Sequence, residues 1–126
     1  MKYKFLHTCI RVMDLEKSLK FYKEALGLRE TKRMDFPEEE FTLVYLSDEK
    51  GEYEIELTYN YNPEKPYEIG NGFSHIALSV EDLEASRERH KEMGYEVTEI
   101  MGLPGKDMRF YFVTDPDGYD VEIIKA

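Results

Sequence analysis

Four side chains in the sequence have the types and the spacing for chemistry on a divalent metal: His7, Glu56, His75 and Glu122. They are two copies of one arrangement. At an offset of 68 positions Phe5 and His7 fall on Phe73 and His75, and Val12, Asp14, Leu15, Glu16 and Ser18 fall on Val80, Asp82, Leu83, Glu84 and Ser86. Such self-similarity marks an internal repeat. At an offset of 66, the run from Tyr53 to Leu57 falls on Tyr119 to Ile123, so each half opens with a histidine segment and closes with a glutamate segment. Taken singly, a Glu among apolar strand residues is usually just solvent-facing, and a strand His is usually a hydrogen-bonded structural group. Their recurrence at equivalent places, while much of the surrounding sequence has drifted, favours a shared task. Two neutral imidazoles and two carboxylates neutralise a dication and leave two corners of an octahedron open, which suits catalysis. Structural zinc would instead close a tetrahedron, usually with thiolates, and the chain has a single cysteine.

The elements that must hold these residues follow from periodicity. Residues Phe5 to Val12 alternate and predict a strand that places His7, Cys9 and Arg11 on one face. Asp14 stands where an N-cap belongs, and Leu15, Leu19, Tyr22 and Leu26 form the apolar stripe of a helix that Gly27 ends. Strands are predicted near Leu28 to Met34, at Phe41 to Leu46 and at Tyr53 to Tyr59, separated by an acidic turn around Pro37 and a turn at Gly51. The second half repeats the order: a strand at Ser74 to Val80, a helix at Leu83 to Met93, then strands near Tyr95 to Ile100, at Met108 to Thr114 and at Tyr119 to Ile124. The fold class is α+β, two βαβββ modules related by duplication. Module one spans 1–61 and module two 73–126, joined by a connector at 62–72 that contains Pro63, Pro66, Gly70 and Gly72. Glu54, Glu56 and Thr58 oppose Ile55 and Leu57, and Asp120, Glu122 and Ile124 oppose Val121 and Ile123. Each helix covers the apolar face, and the opposite face carries one His and one Glu.

Composition narrows the function classes. The 126 residues amount to a single domain's worth of chain, and 41% hydrophobic with 13% aromatic content is that of a folded protein. Seventeen Lys and Arg against 27 Asp and Glu give a net charge of −10, which repels phosphate backbones and anionic lipid. Neither nucleic acid nor a membrane is expected as a partner, and no export signal or spanning segment is read, so a cytoplasmic location is expected. No nucleotide-binding glycine motif, serine-nucleophile elbow or CxxC occurs. His90 matches Tyr22 on the helix and reads as a half-buried packing residue. Cys9 reads as a small buried residue without the signature of a nucleophile. Arg11, Lys106 and Arg109 are cations in an acidic chain, and such groups are usually solvated.

Several segments together resemble the glyoxalase I family, the lactoylglutathione lyases of the vicinal oxygen chelate superfamily. They are the runs from His7 to Val12, from Asp14 to Tyr22, from Ile55 to Asn60 and from His75 to Val80, and Asp115-Pro-Asp-Gly-Tyr119 leading into Val121, Glu122 and Ile123. The resemblance covers nearly the whole chain and implies the glyoxalase/bleomycin resistance/dioxygenase fold, with curved mixed sheets around a metal site. It implies that His7, Glu56, His75 and Glu122 are the metal ligands, the same four that the repeat picks out. It further implies that Arg11 and Asn60 contact a glutathione moiety and that Lys106 meets its glycine carboxylate. Chains of this compact length resemble the nickel- or cobalt-activated class, and zinc would also suit the donor set. The implied reaction isomerises the hemithioacetal of methylglyoxal and glutathione to S-lactoylglutathione, with Glu122 as the base and Glu56 as its symmetric counterpart. A homodimer is implied, with the site either shared between two chains or closed within one. Two alternatives remain: an acyl-coenzyme A epimerase of the same superfamily, and a metal-free ligand-sequestering protein of the bleomycin-resistance type. Arg11 and the run from Ile55 to Asn60 weigh against the first, and the presence of all four ligands weighs against the second.

Overall fold

Alternating apolar and polar residues produce strands with one covered and one open face, and the computed structural model, which describes residues 1–126, contains two units built this way, Met1–Tyr67 and Glu68–Ala126. In the first, strand β1 (His7–Arg11) leads to helix α1 (Leu15–Lys20), followed by β2 (Arg29–Phe36), β3 (Phe41–Ser47) and β4 (Glu54–Asn60). The sheet order is β1-β4-β3-β2, with β1 parallel to β4 and the other pairs antiparallel. Asp14 caps α1 as the sequence predicts, its carboxylate accepting from the Lys17 N–H at 3.1 Å. Val12, Leu19, Phe21, Tyr22, Val44, Leu46, Ile55 and Leu57 form the buried core.

The helix departs from the expected stripe in one respect. After Lys20 it widens into a π-helical turn, Phe21–Ala25, in which Leu26 N–H reaches back five residues to Phe21 O at 3.2 Å. The extra residue in the turn rotates the face, so Ala25 is buried and Leu26 only half-buried. Gly27, at φ +70°, then ends the helix as expected.

The second unit repeats the scheme with β5 (His75–Val80), α2 (Leu83–Glu92), β6 (Phe110–Thr114) and β7 (Asp120–Lys125). The order is β5-β7-β6, with β5 parallel to β7. Asp82 caps α2 through the Ala85 N–H at 3.1 Å. The strand expected near Tyr95 to Ile100 does not form; only isolated bridges, Val97 to Val113 and Met101 to Phe110, join that segment to β6. The reason lies at Thr98. Its N–H donates to Phe112 O at 3.0 Å, but the return bond from Phe112 N–H goes to the Thr98 hydroxyl at 2.9 Å. The Thr98 carbonyl, diverted from the ladder, accepts from Arg87 Nε at 2.7 Å instead. A side chain thus replaces one rung and ends the strand. No helix in the chain is long and apolar enough to cross a membrane.

An ion-pair cluster ties the π turn to β2: Glu30 accepts from Lys23 at 2.9 Å and from Arg33 at 2.8 Å. The Arg33 hydrogen bond, with Lys23 assisting against a smaller desolvation penalty, pulls the Glu30 carboxyl down to about 2. A carboxyl depressed on folding contributes stability that is complete above its unfolded value of 4.5 and is lost as the pH falls through about 2. Because these side chains are partly open to water, the contribution is about 1 kcal/mol. Glu30→Gln is therefore expected to lower the urea midpoint at neutral pH, and the difference from the parent should shrink as the pH is lowered toward that of the folded carboxyl.

Candidate metal centre

In each unit the first and last strands run side by side, and the same register brings a His and a Glu together. His7 sits opposite Glu54 on β1 and β4, and His75 sits opposite Asp120 on β5 and β7. Glu56 and Glu122 each lie two residues further along, on the same face as their histidine. The results are two matching pairs: His7 Nε2 to Glu56 Oε2 at 3.9 Å, and His75 Nε2 to Glu122 Oε1 at 3.2 Å. The carboxylates are well covered, with 12% and 16% of their side-chain surfaces exposed, and the imidazoles remain open at 39% and 32%.

The chemistry of each pair fits half of a metal site. Adjacent donors of a six-coordinate dication stand about 3 Å apart, near the spacing of His75 and Glu122 and somewhat below that of His7 and Glu56. His75 Nδ1 lies 2.7 Å from the Ser74 hydroxyl. With Nδ1–H donating to that oxygen, Nε2 presents the lone pair that a metal takes. Each unit offers two donors, and no cluster of three or more His, Cys, Asp or Glu side chains suited to a metal is gathered in the chain.

The strand opposite each Glu adds an aromatic ring. Tyr45 of β3 pairs with Glu56, and Phe112 of β6 pairs with Glu122. Both rings meet the histidine of their unit edge-on, with centroids 5.6 Å and 5.3 Å apart and planes at 79° in each case. The Tyr45 hydroxyl donates to Glu56 Oε2. Desolvation pushes the Glu56 carboxyl up, but the hydrogen bonds from Tyr45 and Cys9 and the nearby His7 outweigh it, and the carboxyl ends below its usual value. The reciprocal effect raises Tyr45 to about 12, the hydrogen bond to Glu56 being the largest cause.

Of the other residues singled out in the sequence, Arg11 is exposed on the same face of β1 as His7. Asn60 ends β4, and its Nδ2 donates to the Tyr67 hydroxyl at 3.1 Å. Lys106 lines a cavity of about 420 Å³ together with Glu122, Arg109, Leu103, Phe110 and Ile124. Arg109, read as a solvated cation, is partly committed to the backbone, donating to Lys125 O at 2.7 Å. Cys9 is exposed rather than buried, because it lies on the face of β1 away from the core. Its thiol lies 3.1 Å from the Thr58 hydroxyl, and partial desolvation raises its pKa. His90 is buried more deeply than expected, at 2% exposure, with Nδ1 2.7 Å from the Tyr111 hydroxyl, which also meets Ser86 at 2.7 Å. Tyr45 and Phe112 are site residues that the sequence reading missed. The signal for Tyr45 was available in the hairpin, since strands folding back about the Gly51 turn set position 45 against 56.

A model of the glyoxalase/bleomycin resistance protein/dioxygenase superfamily matches residues 4–123. The chain is 44% identical over 123 residues to the lactoylglutathione lyase of Haemophilus influenzae, an alignment covering 95% of this chain and 90% of that protein. Among solved structures, the trypanothione-dependent glyoxalase I of Leishmania major superposes with a TM-score of 0.85 at 35% identity, covering 98% of this chain and 87% of that one. Glyoxalase I from Zea mays superposes with a TM-score of 0.87 at 34% identity, covering 98% of this chain and 44% of that one.

The turn that delivers β7, and with it Glu122, depends on a buried carboxylate. Asp115, 4% exposed, accepts from Asp117 N–H at 2.9 Å and Tyr119 N–H at 2.8 Å, and Gly118 adopts φ +95° beside it. Removing a buried charged acceptor of two N–H groups costs about 2–3 kcal/mol, and Asp115→Ala should show that loss in its urea midpoint. Gly118→Ala should cost about 1 kcal/mol through its left-handed backbone.

Proposed function

The chain belongs to the glyoxalase/bleomycin resistance protein/dioxygenase superfamily, and from that premise we propose that it is a lactoylglutathione lyase, isomerising the hemithioacetal of methylglyoxal and glutathione to S-lactoylglutathione. The observation that carries this reading is the His–Glu pair repeated in the same strand register in both units. On this reading His7, Glu56, His75 and Glu122 would hold one divalent metal, nickel or cobalt by preference with zinc also accommodated, and the protein would act as a homodimer. The protein works in the cytoplasm. When bound, the metal supplies Lewis-acid polarisation of the substrate's vicinal oxygens, without which the carbon-bound proton is far too weak an acid for a carboxylate.

The chain's own residues do the rest. The reaction moves one proton from the carbon that bears sulfur and hydroxyl to the adjacent ketone carbon and a second from that hydroxyl to the ketone oxygen, leaving a thioester and a secondary alcohol. No atom is gained or lost. Glu122 takes the carbon-bound proton and returns it to the neighbouring carbon, and its place beside the cavity with Lys106 supports the assignment. Glu56 is its symmetric counterpart. Arg11 pairs with a carboxylate of the thiol moiety in the charge-assisted way of a guanidinium, Asn60 contributes an amide contact, and Lys106 meets the glycine carboxylate. A sequestering protein without metal would need neither pair.

The test strips the protein with a chelator and restores Ni, Co, Zn or Mg singly while thioester formation from methylglyoxal and glutathione is followed by absorbance. The stripped protein should be inactive and Ni or Co should restore turnover. Glu122→Gln is expected to lower turnover roughly a hundredfold or more, and Glu56→Gln less. Absence of thioester formation with every one of these metals, at any concentration, would reject the function, and equal losses in the two variants would reject the division of labour.

A further inference from the structure

The two half-sites match in backbone, in register and in the edge-on ring against each histidine, and they differ in what flanks the carboxylate: Cys9 and Tyr45 stand beside Glu56, and Ala77 and Phe112 beside Glu122. The ring opposite Glu56 is a phenol, Tyr45, and the ring opposite Glu122 is a phenyl, Phe112. The Tyr45 hydroxyl donates to Glu56 Oε2, and Lys32 Nζ sits 4.5 Å from the centroid of the Tyr45 ring. The cation over its face helps to hold the phenol where it is. A carboxylate that accepts a hydroxyl in this way has one oxygen engaged and its rotation restricted. Phe112 has no donor to offer Glu122.

The geometry points to Tyr45 as a positioning residue that fixes Glu56 as a static ligand, while Phe112 leaves Glu122 free to move as the proton carrier. This rests on the lyase reading above and supplies a physical cause for its asymmetry. A carboxylate that shuttles a proton between adjacent carbons must reorient during the reaction and must have an oxygen open to accept. Glu56 would have to break the Tyr45 hydrogen bond to do either, and hydrogen bonds to charged acceptors are the strong ones. The Tyr45 hydroxyl, absent from Phe112 and joined on the Glu56 side by the Cys9 thiol where the second unit has Ala77, therefore decides which of the two glutamates carries the proton.

The experiment exchanges the rings. In metal-free protein, the carboxylate stretch in the infrared should shift in Tyr45→Phe relative to the parent, and that difference should vanish when both are compared in a Glu56→Gln background. In the nickel-loaded enzyme with the methylglyoxal–glutathione hemithioacetal, Glu122→Gln/Tyr45→Phe should turn over about tenfold faster than Glu122→Gln alone, the release of Glu56 partly replacing the lost base. Phe112→Tyr in the parent should lower kcat by about the same factor with KM little changed. An infrared band insensitive to Tyr45→Phe, or a double variant no faster than Glu122→Gln, would overturn the assignment. Failure of the lyase reading has a different signature: a parent enzyme that forms no thioester with any metal while the infrared difference persists.

Discussion

Parallel pairing of the first and last strands is the constraint on which the rest of each unit depends. Parallel neighbours cannot be joined by a tight turn, so a helix and the intervening strands fill the connection between β1 and β4, and helix and β6 do so between β5 and β7. That long excursion supplies the cover for the apolar face. It also leaves His7 and Glu56, or His75 and Glu122, side by side although each pair is nearly fifty residues apart in sequence. The register between the strands is locked by burial. A slip of one residue in β4 would turn Leu57, fully buried, outward and drive Glu56 into the core. In β7 the same slip would exchange Val121 and Ile123 with Glu122. The hydrophobic effect that stabilises the fold therefore also sets the spacing of the polar donors, with no separate device for the site.

Holding a carboxylate on a mostly covered surface costs desolvation, and the two units meet that cost differently. Glu56 is surrounded by donors: the Tyr45 hydroxyl, the Cys9 thiol and His7 all favour its charged form against the desolvation that opposes it. Glu122 has His75 at 3.2 Å and the phenyl of Phe112 on the other side. The shorter His–Glu distance belongs to the pair with fewer other partners. Two copies of one backbone scheme can thus place the same residue types in the same register and still give the carboxylates different freedom.

Much of this arrangement was legible in the sequence because it follows from period and repeat. The alternation around Glu56 and Glu122, the caps at Asp14 and Asp82, and the breaks at Gly27 and Gly51 are local signals, and each element they mark is present. What escaped is what depends on a competing partner. Nothing in the spacing of Leu15, Leu19, Tyr22 and Leu26 signals the π turn, which widens the helix and lets Ala25 rather than Leu26 face the core. The segment near Tyr95 to Ile100 has the residues of a strand, but Thr98 offers its hydroxyl to Phe112 N–H and its carbonyl to Arg87. Cys9 has the type of a buried residue and is exposed because it lies on the open face of β1, while Ile10 next to it on the other face is buried. Tyr45 was missed for a different reason: a tyrosine in an alternating strand reads as packing, and only its cross-strand partner gives it a role.

The third histidine illustrates how a repeat separates packing from chemistry. Tyr22 and His90 occupy matching helix positions, and both are buried to 2% exposure or less. In the first unit the site is filled by a phenol. In the second, the imidazole reaches the Tyr111 hydroxyl, which in turn meets Ser86, so that the polar atoms of all three are satisfied inside the core. Substitution here changes side-chain chemistry without moving either helix off its sheet, because volume and hydrogen bonding are both made good. At His7 and His75 the side chain is the same in both units although neither is buried and neither contributes to core packing. Burial explains His90 and does not explain them. The two exposed imidazoles each face a carboxylate across a parallel pair and an aromatic ring edge-on, and it is this recurrence outside the core that the proposed metal-holding role rests on.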